Sequence, residues 1–420
     1  MPRSTTKTLL AAAMFALLPV AALAQGQAQA PALPEGVGKV LAEGMCTLCH
    51  RSNLITNSAG YTREGWKNLI DTMIDLSPAP QEQATLTEYL ATHFPPNTRR
   101  TPKLVSGPNE VTFTEWVMPT LGQRTRDPMQ AEDGTIWWSG QFANLIGHLN
   151  PKTGAMKEYP LPDNSMPHTV ELDNLGRPWY TGNKNASVGM LDPATGKTTV
   201  YKMPDPAAKD PHTMKFDKNN VMFFSAQNAE MIGRLDPKTG DIKLVKTTPK
   251  SKPYGVKIDA DGTPWVSCNG RACLIKVNPQ TMELTEVALP PGSTVRRLDI
   301  AEDGLIWYVN SSLGRLGRLN PKTGEIKEWP SPSGAKSHPY AIAIVDGIVW
   351  YNESFQRPDA LVRFDPKTET FQSWAVPSGG IYAGHIRHMR GTREGNLLIH
   401  QSSSNRIIQV TPKRRAAEAR

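Results

Sequence analysis

The run Cys46-Thr47-Leu48-Cys49-His50 places two thiols three positions apart with an imidazole directly after them. On one turn of helix, two such thiols can each form a thioether to a porphyrin vinyl group, which sets the following imidazole against the iron. The chemistry expected is covalent attachment of one c-type haem (haem c) through Cys46 and Cys49, with His50 as an axial iron ligand. A zinc knuckle or a redox dithiol would need further Cys or His close by, or a βαβ setting. With 4 Cys and 9 His in 420 residues, neither surrounds the motif.

A six-coordinate iron needs a second ligand, and Met73 is the choice. It follows the loop after the motif, on the helix opened by Trp66, where a chain folding over the distal haem face returns. His93 is the rival, and Met45 sits on the wrong side of the first Cys. The other two cysteines, Cys268 and Cys273, flank Asn269-Gly270-Arg271-Ala272 in a loop between adjacent strands, and a disulfide is expected of them in an exported protein.

The elements around the motif read as helices: Gly36 to Cys49, then Trp66, Leu69, Ile70, Met73 and Ile74 at helical spacing, then Gln81 to His93. The last stops at Phe94-Pro95-Pro96, as proline requires. This segment resembles the short haem domains of periplasmic quinohaemoprotein-type dehydrogenases. The matching residues are Cys46-x-x-Cys49-His50, Gly65-Trp66, Met73 and Tyr89-Leu90-Ala91-x-x-Phe94-Pro95. The resemblance implies electron transfer, with Met73 at the family's usual ligand position.

Upstream, Arg3 and Lys7 precede the apolar run Leu9 to Val20 and the small-residue site Ala22-Leu23-Ala24, the pattern of a signal peptide over residues 1–24. Its core is too short to span a membrane stably, and no later segment approaches eighteen apolar residues. Export together with a haem motif points to a bacterial periplasm. Losing Arg3 and Lys7 takes the formal charge from +8 to +6, a balance suited to acidic redox partners or an anionic substrate. Nucleic acid is excluded as a partner by export and by the even spread of Lys and Arg. Residues 31–98 are the expected cytochrome c domain and 99–110 a polar, Pro-bearing linker; 413–420 are a basic tail.

Past the linker the periodicity turns strand-like and one phrase recurs. Its anchors are Trp137, Trp179, Phe223, Trp265, Trp307, Trp350 and Leu398, spaced 42, 44, 42, 42, 43 and 48 residues apart. Asn/Asp-Pro turns follow each of the first six anchors, as in Asp236-Pro237-Lys238-Thr239-Gly240. A period near 42 with four short strands per unit means a β-propeller, and seven anchors mean seven blades over 111–412. The last copy ends before its outermost strand, which Val111 to Trp116 can supply to close the ring. The fold class expected is mainly β: a seven-bladed β-propeller preceded by a small all-α cytochrome c domain.

Aligned on the anchors, one column of the innermost strands holds Arg126, His168, His212, Tyr254, Arg296, Tyr340 and Arg387. Inner-strand starts line the mouth of the central channel, so these side chains should converge as a ligand ring for an anionic or oxygen-rich molecule. A hydrated channel lined by whatever polar residues fit is the plainer reading. A copper or second-haem site using His168, His212 and His388 is a further alternative.

The Pro-His/Tyr start, the D-x-x-G-x-x-W phrase and I-G-R-L-D-P-x-T-G resemble the virginiamycin B lyase (streptogramin lyase) family of seven-bladed propellers. The resemblance implies a lyase using a column His and a Glu three residues after the same blade's anchor, with magnesium. Here the His168 and His212 blades carry Gly182 and Ala226 at that place, and Glu353 stands in the Tyr340 blade. The leading expectation is thus an exported cytochrome joined to a ligand-binding propeller in an oxidoreductase system. Its partners would be a dehydrogenase or a cytochrome acceptor. A pure electron carrier with a docking propeller and a lyase with an appended haem domain are the rivals. One haem passes one electron, so a two-electron substrate would require a second cofactor, a partner subunit or two successive transfers.

Overall fold

The structure is a computed structural model that describes residues 32–47, 52, 55, 61–71, 74, 76–95, 101–378, 386–402 and 404–413. Residues Cys49, His50 and Met73, and the signal segment 1–24, lie outside the described residues.

Seven four-stranded antiparallel sheets make up the propeller. Six of the seven second strands, such as Trp137's Ile136–Gly140 and Phe223's Met222–Ala226, are buried at every residue, and the seventh, Ile348–Glu353, at all but its first, because each lies between the faces of two neighbouring blades. The outermost strands alternate instead, as in Ile242–Lys246 and Thr198–Lys202, since one face meets solvent. Anchor tryptophans reach across their own blade to an aromatic of its outer strand: Trp137 to Tyr159 at 5.9 Å, Trp179 to Tyr201 at 5.5 Å and Trp307 to Trp329 at 5.4 Å between ring centroids. The Asn-Pro turns are closed by their first side chain; Asn150 Oδ1 accepts from Lys152 N at 3.0 Å, and Gly154 supplies the left-handed φ of 74°.

Closure follows the sequence expectation. Strand Val111–Val117 pairs antiparallel with Arg406–Pro412, from Val111 opposite Pro412 to Val117 opposite Arg406. The segment before it is no loose tether. Val105 N donates to Ser373 Oγ and Ser373 N donates to Val105 O, both at 2.9 Å, while Gln372 Nε2 donates to Asn109 O at 2.6 Å. Residues 105–109 therefore run along the outer strand Thr370–Ala375 of the sixth blade.

Ahead of the propeller, three helical stretches surround one core. Lys39–Leu41 continues into a π-helical turn, Ala42–Cys46; Arg63–Asp71 and Pro80–His93 follow. The second helix is described over Arg63–Asp71, and Ile74, expected inside it, donates its N–H to Ile70 O at 2.9 Å, the α-helical spacing. Trp66, Leu69 and Ile70 bury one face of that helix against Leu86, Tyr89 and Leu90. Trp66 Nε1 donates to Phe94 O at 3.3 Å and Tyr89 Oη to Pro34 O at 2.6 Å, so the segment's end is tied to the middle helix and its start to the last helix. Among the described residues, no helix is long and apolar enough to cross a membrane.

Candidate axial ligand site

In a regular strand only every second residue faces the channel. Six of the seven inner strands break that rule at one place. Their pairing with the second strand shifts register between Arg126 and Met129, Pro167 and Val170, Pro211 and Met214, Pro253 and Val256, Val295 and Leu298, and Pro339 and Ile342. Each shift falls on or beside the column residue, and a bulge of this kind re-aims side chains. In four of these blades two consecutive residues interact with partners from other blades near the axis: Arg126 and Asp127, His168 and Thr169, His212 and Thr213, and Arg296 and Arg297.

The first layer is the column read from the sequence, and its members do meet. The imidazoles of His168 and His212 have centroids 3.4 Å apart, His212 lies 4.2 Å from Tyr254, and Tyr254 Oη shares a hydrogen bond with Tyr340 Oη. The Arg296 guanidinium sits 4.9 Å above the Tyr340 ring and 5.6 Å above that of Tyr254. Arg126 is 2 % exposed and donates through Nη1 to Gln141 Oε1 at 3.0 Å, yet its Nε and Nη2 make no hydrogen bond. Arg296 Nε is likewise buried and unpaired. Unpaired buried donors cost about 1–3 kcal/mol each, more when charged, so this layer has unused capacity for oxygen acceptors.

Electrostatics agree. Burial, with the guanidiniums of Arg126 and Arg297 nearby, holds His168 and His212 well below the usual imidazole range, so both are neutral. Burial and Arg387 lower Arg126 as well. For Tyr340 burial pushes upward, but Arg296, Arg387, Arg126 and the Tyr254 hydrogen bond outweigh it and bring the phenol down to about 8.

The second layer was missed in the sequence, because strand alternation assigns those residues to the other face. Asp127, Thr169, Thr213, Arg297 and His388 each stand one position after a column residue. Arg297 spans the channel: Nε donates to Arg387 O at 3.2 Å, Nη1 to Thr213 Oγ1 at 2.9 Å, and Nη2 lies 3.9 Å from Asp127 Oδ2. His400 was also missed. Its Nε2 accepts from the backbone N–H of Arg387 and of His388, each at 3.2 Å, which fixes the last column position. Listing the residue after each column member would have exposed the second layer; nothing local marks His400.

Residues 101–273 match the family model for the Virginiamycin B lyase family. The propeller is virginiamycin B lyase-like. Virginiamycin B lyase from Staphylococcus aureus superposes with a TM-score of 0.65 at 20% identity, covering 72% of this chain and 99% of that one. A streptogramin B lyase gives 0.66 at 22%, covering 73% and 98%. Hydrazine synthase from Kuenenia stuttgartiensis gives 0.56 at 14%, covering 70% and 96%. No curated protein sequence matches. At these identities the likeness establishes the fold alone.

The lyase-like propeller does not assemble the acid/base pair that the resemblance implies. Gly182 and Ala226 occupy the Glu position in the histidine blades. Glu353 accepts from Ser333 N at 2.8 Å and from Ser333 Oγ, and burial raises its carboxyl. His388 does not join the His168–His212 ring contact; its Nδ1 accepts from Arg390 Nε at 3.2 Å. Among the described residues no group of three His, Cys, Asp or Glu is placed to hold a metal ion. Cys268 and Cys273 are joined in a disulfide with Cα atoms 5.4 Å apart. Cys46 ends the π-helical turn and, like Met45, Tyr61 and Ile74, is partly buried against the helical core.

Proposed function

We propose that this chain is an exported c-type cytochrome whose lyase-like propeller binds an anionic, oxygen-rich small molecule on its axis, within an electron-transferring oxidoreductase system. The redox half of the reading is carried by Cys46-Thr47-Leu48-Cys49-His50. Cys46 packs against an apolar helical core that would offer surface to a porphyrin edge. Cys46 and Cys49 would hold the group, and His50 and Met73 would ligate its iron. When bound, the haem supplies one-electron oxidation and reduction. The ligand half rests on the buried, unpaired guanidinium nitrogens of Arg126 and Arg296.

Mass spectrometry of protein made in a host competent for periplasmic haem ligation, with a visible spectrum, tests the first half. The expected product is a coloured protein heavier than the processed polypeptide by one haem. A colourless protein of bare polypeptide mass would sink it. Adding candidate organic anions to the oxidised protein tests the coupling. Haem reduction supports a direct oxidoreductase, whereas binding without reduction supports a carrier with a docking propeller.

A further inference from the structure

Two hydrogen-bond chains of opposite sign end on the paired histidines His168 and His212. On one side, Thr169 Oγ1 donates to Asp127 Oδ2 at 2.8 Å and also contacts His168 Nδ1 at 3.2 Å. A hydroxyl has one hydrogen, and here it is given to the carboxylate. The His168 contact is therefore Nδ1–H donating to the threonine oxygen, and a neutral imidazole so arranged keeps a lone pair on Nε2. On the other side, Arg297 Nη1 donates to Thr213 Oγ1 at 2.9 Å. A guanidinium cannot accept, so that threonine keeps its hydrogen. Among the described residues, His212 Nδ1 at 3.0 Å is the acceptor placed to take it. His212 Nδ1 is thus the lone-pair nitrogen and its hydrogen resides on Nε2. Neither Nε2 has a hydrogen-bond partner among the described residues.

We propose that the buried Asp127–Arg297 pair fixes His168 and His212 in opposite tautomers, so that the axial site selects an anion that also bears a hydroxyl group. In this arrangement the hydroxyl donates to His168 Nε2 and accepts from His212 Nε2–H, on two rings whose centroids lie 3.4 Å apart. The carboxylate of the same ligand meets the unpaired nitrogens of Arg126 and Arg296. Ligands that only accept, or that lack the group altogether, leave one imidazole edge or both unmatched. Binding alone is proposed, with no bond made or broken. This deepens the axial-ligand reading and rests on it.

Two measurements on the full haem-loaded chain test the proposal. Long-range proton–nitrogen correlation spectra of the imidazoles, assigned with His168→Gln and His212→Gln, should show His168 protonated on Nδ1 and His212 on Nε2; the same tautomer in both overturns the proposal. Calorimetry should show malate binding at least about tenfold more tightly than succinate, with oxaloacetate weaker than malate. Thr169→Val should reduce malate affinity about tenfold and leave succinate unchanged. Equal affinity for malate and succinate overturns the hydroxyl selection. Binding of none of these anions overturns the axial anion site itself, while the tautomer result still reads out separately.

Discussion

Arg297 Nη2 lies 3.9 Å from Asp127 Oδ2, and the two residues come from the fifth and first blades, across the channel from one another. Their side chains are 3% and 0% exposed. The separation is too long for a hydrogen bond, and both Asp127 Oδ1 and Arg297 Nη2 are left unpaired. Such a pair adds little net stability, but breaking it leaves a bare buried charge. Arg297→Met should therefore destabilise the propeller by about 3 kcal/mol or more, through the stranded carboxylate and the lost bonds to Thr213 and Arg387. Pairing it with Asp127→Asn should recover a substantial part. Denaturant unfolding of the four proteins in a double-mutant cycle checks this, and strictly additive losses would contradict it.

Tyr340 is the ring member whose charge state changes nearest to neutrality. Its phenol is brought to about 8 by guanidiniums that overcome burial. Removing the nearest of them should let burial dominate, so Arg296→Gln is expected to move the titration upward by at least one pH unit, on the order of what one close charge contributes. Ultraviolet difference titration of tyrosinate, with Tyr340→Phe as the control, reads this directly. A wild-type protein with no phenol titrating below the ordinary tyrosine range would refute the assignment.

Asp359 shows the opposite cost. Burial raises its carboxyl from 3.8 to about 7, against the pull of Arg357 and the hydrogen bonds from Ile386 N at 3.1 Å and Gln401 Nε2 at 3.3 Å. Between those pH values the unfolded chain has released a proton that the folded chain keeps. Stability contributed by this group therefore falls as pH rises from about 4 to about 7 and is level above that. Asp359→Asn keeps an acceptor and removes the titration. Its expected effect is a gain of up to about 4 kcal/mol at pH 8 and almost none at pH 4, measured by urea unfolding at both values.

The contrast between Arg126 and Arg297 shows what the sequence could and could not disclose. The blade count, ring closure by Val111–Val117 and the column from Arg126 to Arg387 all follow from a period of about 42 residues, because repetition turns spacing into position. Arg297 was hidden by the bulge beside it, since alternation assigns adjacent residues to opposite faces. His400 was hidden differently: its partners Thr125, Arg387 and His388 lie in other strands and loops, and no local pattern marks such contacts. The helical segment was readable as three amphipathic stretches.

Met73 remains the proposed second iron ligand. Met73→Ala should convert a low-spin haem spectrum to high spin and lower the reduction potential, since thioether ligation raises it. His93 is the competitor, but its ring packs against Tyr89 at a centroid distance of 4.6 Å. His93→Ala is accordingly expected to leave the spectrum intact. Loss of the low-spin bands in His93→Ala alone would reverse the two assignments.

In the third blade Phe224 lies opposite Gly233, and a Cβ built on that glycine would sit 2.0 Å from the Phe224 ring. In the fourth blade the same two places are held by Val266 and Ile275. Bulk is thus conserved across the pair of strands while its owner changes. Gly233→Ile alone should cost about 3 kcal/mol by overpacking, and Phe224→Val alone about 2 kcal/mol by leaving a void. Phe224→Val with Gly233→Ile copies the fourth blade and should lie within about 1 kcal/mol of the parent, a strong coupling between contacting residues. If the double variant instead loses the sum of the two single costs in denaturant unfolding, the volume exchange between these strands does not explain the glycine.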